Sequence, residues 1–227
     1  MENQSKEIAG ALTAAAGTVI SAIGYVPFSF MTEDLRLSLE IQGNVLQATG
    51  NGLEANGAAP FSLEKAGNKL QAIGNLTVLS GLILKPETET ELKLLIRGNL
   101  IQALGGLVVM VDELVDHTPA GQAYGVIGNL VQAIGNSLQA LGGIRELKEM
   151  RREEEEQTEE QDEQERQSNG KLIVEIGSWI QAAGAVIAAV GQIKEETQEL
   201  TENSKGKKNK QEKNNSEDEN KEKNDEQ

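Results

Sequence analysis

The chain has a single histidine to offer to any reaction. His117 follows Asp112, Glu113 and Asp116 at the end of an apolar run, and Glu113 and His117 are four residues apart. On a helix that spacing puts two metal-ligand types on one face. A di-iron carboxylate site needs two Glu-x-x-His units and two further Glu, which one histidine cannot supply. We read the group as a solvated helix terminus, although acidic side chains there oppose the helix dipole. No nucleophile-elbow sequence accompanies the histidine. With no cysteine, thiolate nucleophiles, thiolate metal ligands and disulfides are excluded. Glu153 to Glu156 reads as a solvated charge run rather than an acid–base pair. The expectation is no catalytic residue, no cofactor-binding residue, no metal and no enzyme.

Glycines are the other candidates, because glycine loops cradle phosphates. Gly50-Asn51-Gly52 lacks the third glycine and the preceding strand of a dinucleotide site. The dominant spacing is instead seven: Gly10, Gly17, Gly24; Gly43, Gly50, Gly57; Gly67, Gly74, Gly81; Gly98, Gly105; Gly121 to Gly142; and Gly170 to Gly191. Of the 24 glycines, 19 fall in this pattern, far more than chance would place there.

Seven residues are two helical turns, so each glycine series runs nearly along one line of a helix. With glycine at heptad position a, Leu, Ile or Val falls at d, Ala at f and Ile or Leu at g. Asn at b and Gln at e make a narrow polar stripe. The rest of the circumference is small or apolar, which suits a helix buried on several sides. Each glycine costs a helix about 1 kcal/mol relative to alanine. Across the pattern that is on the order of 10–20 kcal/mol, as large as a domain's net stability. Close approach of helix backbones is the offset that only glycine permits. The glycine stripe therefore predicts a helix–helix contact seam. A β-solenoid with Gly-Asn turns is the rival, disfavoured because Ala, Leu and Gln dominate the units. Gln47, Gln71, Gln102, Gln132, Gln139 and Gln181 share one heptad position. They are either a buried amide seam that fixes register or a solvated row.

The four prolines, Pro27, Pro60, Pro86 and Pro119, all fall between glycine blocks. Thr118-Pro119 reads as an N-cap with proline at the first helical position, Thr88 to Glu91 as a capping box, and Thr32 and Ser62 as N-caps. These signals predict six helices, near 7–25, 33–57, 63–84, 89–116, 120–166 and 170–200, antiparallel where connections are short. The fold class is all-α, an antiparallel bundle or stack with glycine seams. The spacing Pro27 to Pro86 equals that of Pro60 to Pro119, a hint of a duplicated hairpin. Residues 1–144 form the repeat domain, 145–169 a charged helical extension or linker, 170–200 a helix packing back on the domain. From about Lys205 the chain has no hydrophobic residue, and residues 201–227 read as a disordered tail.

The units Gly43-Asn-Val-Leu-Gln-Ala-Thr-Gly50, Gly67-Asn-Lys-Leu-Gln-Ala-Ile-Gly74, Gly98-Asn-Leu-Ile-Gln-Ala-Leu-Gly105 and the tandem pair over Gly128–Gly142 carry a resemblance. The pattern resembles uncharacterised repetitive proteins of Bacillus-type Gram-positive spore formers, over about 41–142. The resemblance implies a bacterial source and attaches no activity, ligand or site residue.

The formal charge of −15 argues against nucleic acid as a partner, and Lys205 to Lys210 reads as part of a solubilising tail. The first seven residues lack the positive n-region of a secretory signal. Three segments long enough to span a bilayer are nearly free of charge: 8–32, 118–144 and 172–193, the last containing Glu175. Their Gly, Asn and Gln content weakens a membrane reading, whereas small-residue seams are also how membrane helices associate. The sequence thus predicts a non-enzymatic, cytoplasmic structural or interaction protein, binding itself or a protein partner through glycine seams, with no small-molecule substrate. The alternative is a membrane-associated glycine-zipper protein.

Overall fold

The computed structural model describes residues 2–84, 86–115, 121–155 and 160–225, with side chains between 153 and 168 and most beyond 198 outside the description. Six helices follow one another: α1 (Glu2–Tyr25), α2 (Glu33–Gly57), α3 (Leu63–Leu84), α4 (Thr88–Val115), α5 (Gln122–Glu155) and α6 (Glu160–Asp225). No strand occurs among the described residues, which disposes of the solenoid. Each helix packs on the next, and α6 returns to pack on α1, so the six form a closed ring. The closest pairs are α1 with α2, α3 with α4, and α5 with α6. The helices thus pair as three hairpins.

The turns follow the local chemistry. Thr32 caps α2 by accepting from the Leu35 N–H at 3.2 Å, and Ser62 caps α3 by accepting from Lys65 N–H at 3.0 Å. Arg36 reaches back across the first turn, donating from Nε to the Gly24 carbonyl at 3.0 Å and from Nη2 to that of Tyr25 at 3.3 Å. Carbonyls at the end of α1 that lack an intrahelical donor are satisfied this way. α2 stops at Gly57, before Pro60. At α4 the first-turn N–H groups of Thr90 and Glu91 bond the Glu87 carbonyl, so the helix begins at Thr88 and Glu87 stands in the cap position. Pro119 lies outside the described residues.

Each hairpin is zipped by its glycines. A Cβ built on Gly74 would lie 2.7 Å from the Gly98 carbonyl oxygen, and one on Gly98 equally close to that of Gly74. Gly67 and Gly105 face each other in the same way, as do Gly135 and Gly177. These separations leave no room for a methyl group. The last hairpin corrects one boundary. Gly170 is not where a helix starts, because it sits inside α6 against Glu146 and Gly142 of α5. α5 is described to Glu155 and α6 from Glu160, so 160–169 belongs to the sixth helix rather than the fifth. The backbone of α6 is traced as helix to Asp225, while most side chains of the segment read as a disordered tail lie outside the description. The ring closes on small residues too, with Ala11 and Ala15 of α1 packed with Ala185 and Ala189 of α6.

Candidate functional site

The heptad decides what faces inward. Positions a, b and e are buried, d and f largely intermediate or buried, and c and g exposed. Glycine, asparagine and glutamine therefore occupy the interior. Large aliphatic side chains stand outside, among them Leu76, Leu104, Ile127, Ile134, Leu172 and Val186. This is the reverse of a water-soluble bundle, where apolar stripes face the core. The four largest side chains that are essentially fully buried are Asn68, Asn75, Asn136 and Ser178.

Buried amides need partners. Asn44, Asn75 and Asn129 donate to the carbonyl four residues back in their own helices, at 2.9, 3.1 and 3.0 Å. The glutamines bond across helices. Gln181 of α6 accepts from Gln139 Nε2 of α5 at 2.8 Å. It donates to Gln47 Oε1 of α2 at 2.9 Å and Gln102 Oε1 of α4 at 3.2 Å. Gln47 donates on to Ser21 Oγ of α1 at 3.2 Å. One amide layer thereby ties five of the six helices across the bundle axis. All six glutamines at that heptad position are buried, so the solvated row is excluded.

Three cavities continue the polar axis. At the end formed by the starts of α1 and α3, the ends of α2 and α4 and the middle of α6 lies a vestibule of about 660 Å³. Its lining includes Glu2, Glu7, Glu64, Asp112, Glu113, Glu195 and Glu196 and, among the described residues, no lysine or arginine, while Lys6 pairs with Glu2 at 3.0 Å. Gln192 Nε2 bridges two of these carboxylates, donating to Glu7 Oε2 at 3.3 Å and Glu196 Oε1 at 3.1 Å. Glu64, Glu113 and Gln192 also border an inner cavity of about 30 Å³ lined by Asn51, Asn68, Gln71, Asn129 and Gln132. Beyond the amide layer, at the other end, a third cavity of about 530 Å³ is lined by Asn99, Gln139, Arg36, Glu146 and Lys171. Burial pushes the Glu146 carboxyl above its usual range, with Lys171 opposing the shift. Glu40, near the same end of α2, is pushed up to about 7 by burial, against the pull of Arg36.

The residues singled out from the sequence are not gathered into a site. His117 and Asp116 lie outside the described residues. Asp112 accepts from the Leu63 N–H at 3.2 Å, and with Glu113 it lines the vestibule. Gly50, Asn51 and Gly52 are interior to α2. The side chains of 153–156 and of 206–210 lie outside the description, and Lys205 is exposed. Among the described residues no three His, Asp or Glu side chains stand as a metal-ligand group. Spacing could not reveal the vestibule, because its carboxylates come from α1, α3, α4 and α6.

The apolar surface has a definite extent. Charge-free stretches run over 8–32 in and beyond α1, 41–53 in α2, 70–84 in α3, 98–111 in α4, 122–144 in α5 and 176–193 in α6. At 1.5 Å per residue the shortest of these helical stretches is about 20 Å long and the longest about 34 Å. Three helical segments, Glu2–Tyr25, Thr88–Val115 and Asn169–Gln198, are long and apolar enough to cross a membrane. The third contains the expected segment 172–193, and the first covers 8–25 of the expected 8–32. α4 was not anticipated, and the expected segment 118–144 begins outside the described residues.

The glycine-heptad region coincides with a family match covering residues 5–189. The chain belongs to DUF6944, a family of unknown function. No curated protein and no solved structure matches it.

Proposed function

We propose that this member of DUF6944 is a membrane-embedded helical bundle that keeps a polar axis away from lipid, rather than a soluble interaction module. The observation that carries the reading is the inversion of the bundle: amides and glycine inside, Leu, Ile and Val outside. In water an outer surface of this kind would be a liability. In a bilayer it needs no partner, and close small-residue packing replaces the hydrophobic drive between helices.

Two further features support it. The six aromatic side chains sit toward the bundle ends: Tyr25, Phe28, Phe30 and Trp179 near one, Phe61 and Tyr124 near the other. Phe28 and Phe30 stack with centroids 5.3 Å apart. Aromatic belts at both interfaces are characteristic of membrane proteins. The short charge-free stretches of α3 and α4 end at the exposed Lys69 and Arg97. Such side chains extend along apolar surface to reach the headgroups, which accommodates a span shorter than the roughly 30 Å hydrocarbon core.

The glycine seams are engaged within the chain, so a protein partner or second copy would meet the outer face instead. Fractionation of cells expressing the untagged protein, with a carbonate wash, tests the reading. Retention in the pellet until detergent is added is the expected result. Complete recovery in the high-speed supernatant favours the soluble alternative.

A further inference from the structure

We infer that the cavity at the Arg36 and Lys171 end of the bundle is a binding site for a small uncharged amphiphile, an apolar body of about two-ring size whose carbonyl or carboxamide pairs with Asn99. The sequence carries no motif for such a ligand. The inference goes beyond the membrane reading and does not rest on it.

Asn99 of α4 carries the argument: it lines the cavity and is only 8% exposed. Asn44, Asn75 and Asn129, at the same heptad position, turn back to donate to the carbonyl four residues earlier. Asn99 does not, and its carboxamide has no hydrogen-bond partner among the described residues. Gln139, the other buried polar side chain of the lining, gives its Nε2 to Gln181. Its Oε1 accepts from no described residue. Buried amides are paired as a rule. A floor with donors and acceptors unused suits a ligand group that bonds to an amide, such as a carbonyl or a carboxamide.

The walls above that floor are apolar. Leu92 and Leu95 of α4 and Leu172 and Val174 of α6 belong to them. Asn99 and Leu92 are two helical turns apart, so the cavity is about 10 Å deep. At about 530 Å³ it is wider than one extended alkyl chain needs, and it falls within the roughly 300–1,000 Å³ usual for small-molecule sites. Water gains little along such walls, whereas an apolar body leaves water by entering them.

The charges on the lining balance. Arg36 and Lys171 stand with Glu146 and Glu175, and the Arg36 guanidinium is already engaged by the Gly24 and Tyr25 carbonyls. No net charge draws in an ion. An ion that reached the floor would exchange its hydration for leucine, valine and neutral amides, with no counter-charge there. An uncharged molecule gives up far less by the same step.

The test is equilibrium dialysis of 2-naphthamide against the purified full chain in phosphatidylcholine vesicles, with protein-free vesicles as the blank. Flotation with the vesicles is scored in the same samples. 2-Naphthoate and 2-naphthylmethylammonium carry the same rings on a charged head. The expected result is saturable binding of 2-naphthamide, about one per chain, with both charged analogues at least about tenfold weaker. Asn99→Leu deletes no hydrogen bond of the fold and should weaken binding about tenfold. Leu172 is 49% exposed, so Leu172→Trp adds bulk at the lining without disturbing the core and should weaken binding as well. Leu76→Trp, on α3 and off the lining, should leave it unchanged. Binding no greater than the blank overturns the site, and binding that Asn99→Leu leaves unchanged overturns its floor. Charged analogues that bind as tightly overturn the selection of an uncharged ligand. Protein that fails to float counts against the membrane reading alone, and the same dialysis in buffer then decides the site.

Discussion

Gly17 of α1 and Gly43 of α2 face each other so closely that a Cβ built on either would lie 2.6 Å from the other's carbonyl oxygen. The two helix backbones are in contact there, and besides the Ser21 hydroxyl and Leu46 Cβ the neighbouring atoms are main chain that cannot swing aside. Gly43→Ala must therefore push the helices apart, at about 1–3 kcal/mol or more. Gly52 lies in the same helix with nothing within 4 Å of its would-be Cβ. Gly52→Ala should stabilise by up to about 1 kcal/mol through helix propensity. Unfolding of the two variants in detergent should show opposite signs, and matching signs would contradict the seam.

Gln181 is the junction of the amide layer. Gln181→Leu removes three interhelical hydrogen bonds and leaves Gln47 Oε1, Gln102 Oε1 and Gln139 Nε2 short of a partner. The loss should be roughly 2–4 kcal/mol. Ser137, whose hydroxyl bonds the Ala133 carbonyl of its own helix at 2.7 Å, is a fair comparison, and Ser137→Ala should change stability by under about 1 kcal/mol. If the two substitutions cost the same, the layer is not a stabilising element.

Glu40 should make stability depend on pH. It precedes the charge-free stretch of α2, and burial raises its folded pKa from 4.5 to about 7. Below pH 4.5 it is protonated in both folded and unfolded chains, so no difference arises. As pH rises from 4.5 to 7 the unfolded chain releases the proton first, and stability falls by on the order of 2–3 kcal/mol. Above 7 the loss is complete. Glu40→Gln should flatten that part of the profile and be more stable than wild type at pH 8. A wild-type profile rising between pH 5 and 7, with Glu40→Gln unchanged, would contradict this.

Much of the architecture was legible in residues. Glycine at every seventh position, with prolines between blocks, gave six helices and a backbone seam, because only a hydrogen side chain tolerates the Gly74–Gly98 approach. Thr32 and Ser62 marked helix starts through their hydroxyls. Partner choice was less legible, since similar units such as 67–74 and 98–105 do not say which block meets which. That 160–169 belongs to the sixth helix was hidden, because a charged stretch without an apolar stripe carries no start signal. Inside and outside were the hardest to read. A soluble bundle and an inverted one share the heptad, and only the buried glutamines with exposed Leu104 and Ile134 distinguish them. The vestibule was invisible because Glu7, Glu64, Glu113 and Glu196 meet only after the ring closes.

The outer face supplies its own prediction. Leu104 lies midway along the charge-free stretch of α4 and is 53% exposed. In a water-soluble bundle Leu104→Lys would be harmless or favourable. Facing lipid, it should cost about 2–3 kcal/mol and lower the fraction held in carbonate-washed membranes. An unchanged or larger membrane fraction would count against the lipid-facing assignment.

The central claim is that the outside of this bundle meets lipid, and the chain carries its own reporter. Trp179 is the only tryptophan, lies on the exposed face of α6 one turn inside Glu175, and is 42% exposed. The most direct measurement is its fluorescence in vesicles containing lipids brominated on the acyl chains, alongside titration with aqueous acrylamide. Strong quenching by the brominated lipid and weak quenching by acrylamide are expected. Quenching by acrylamide with no response to the brominated lipid would contradict it.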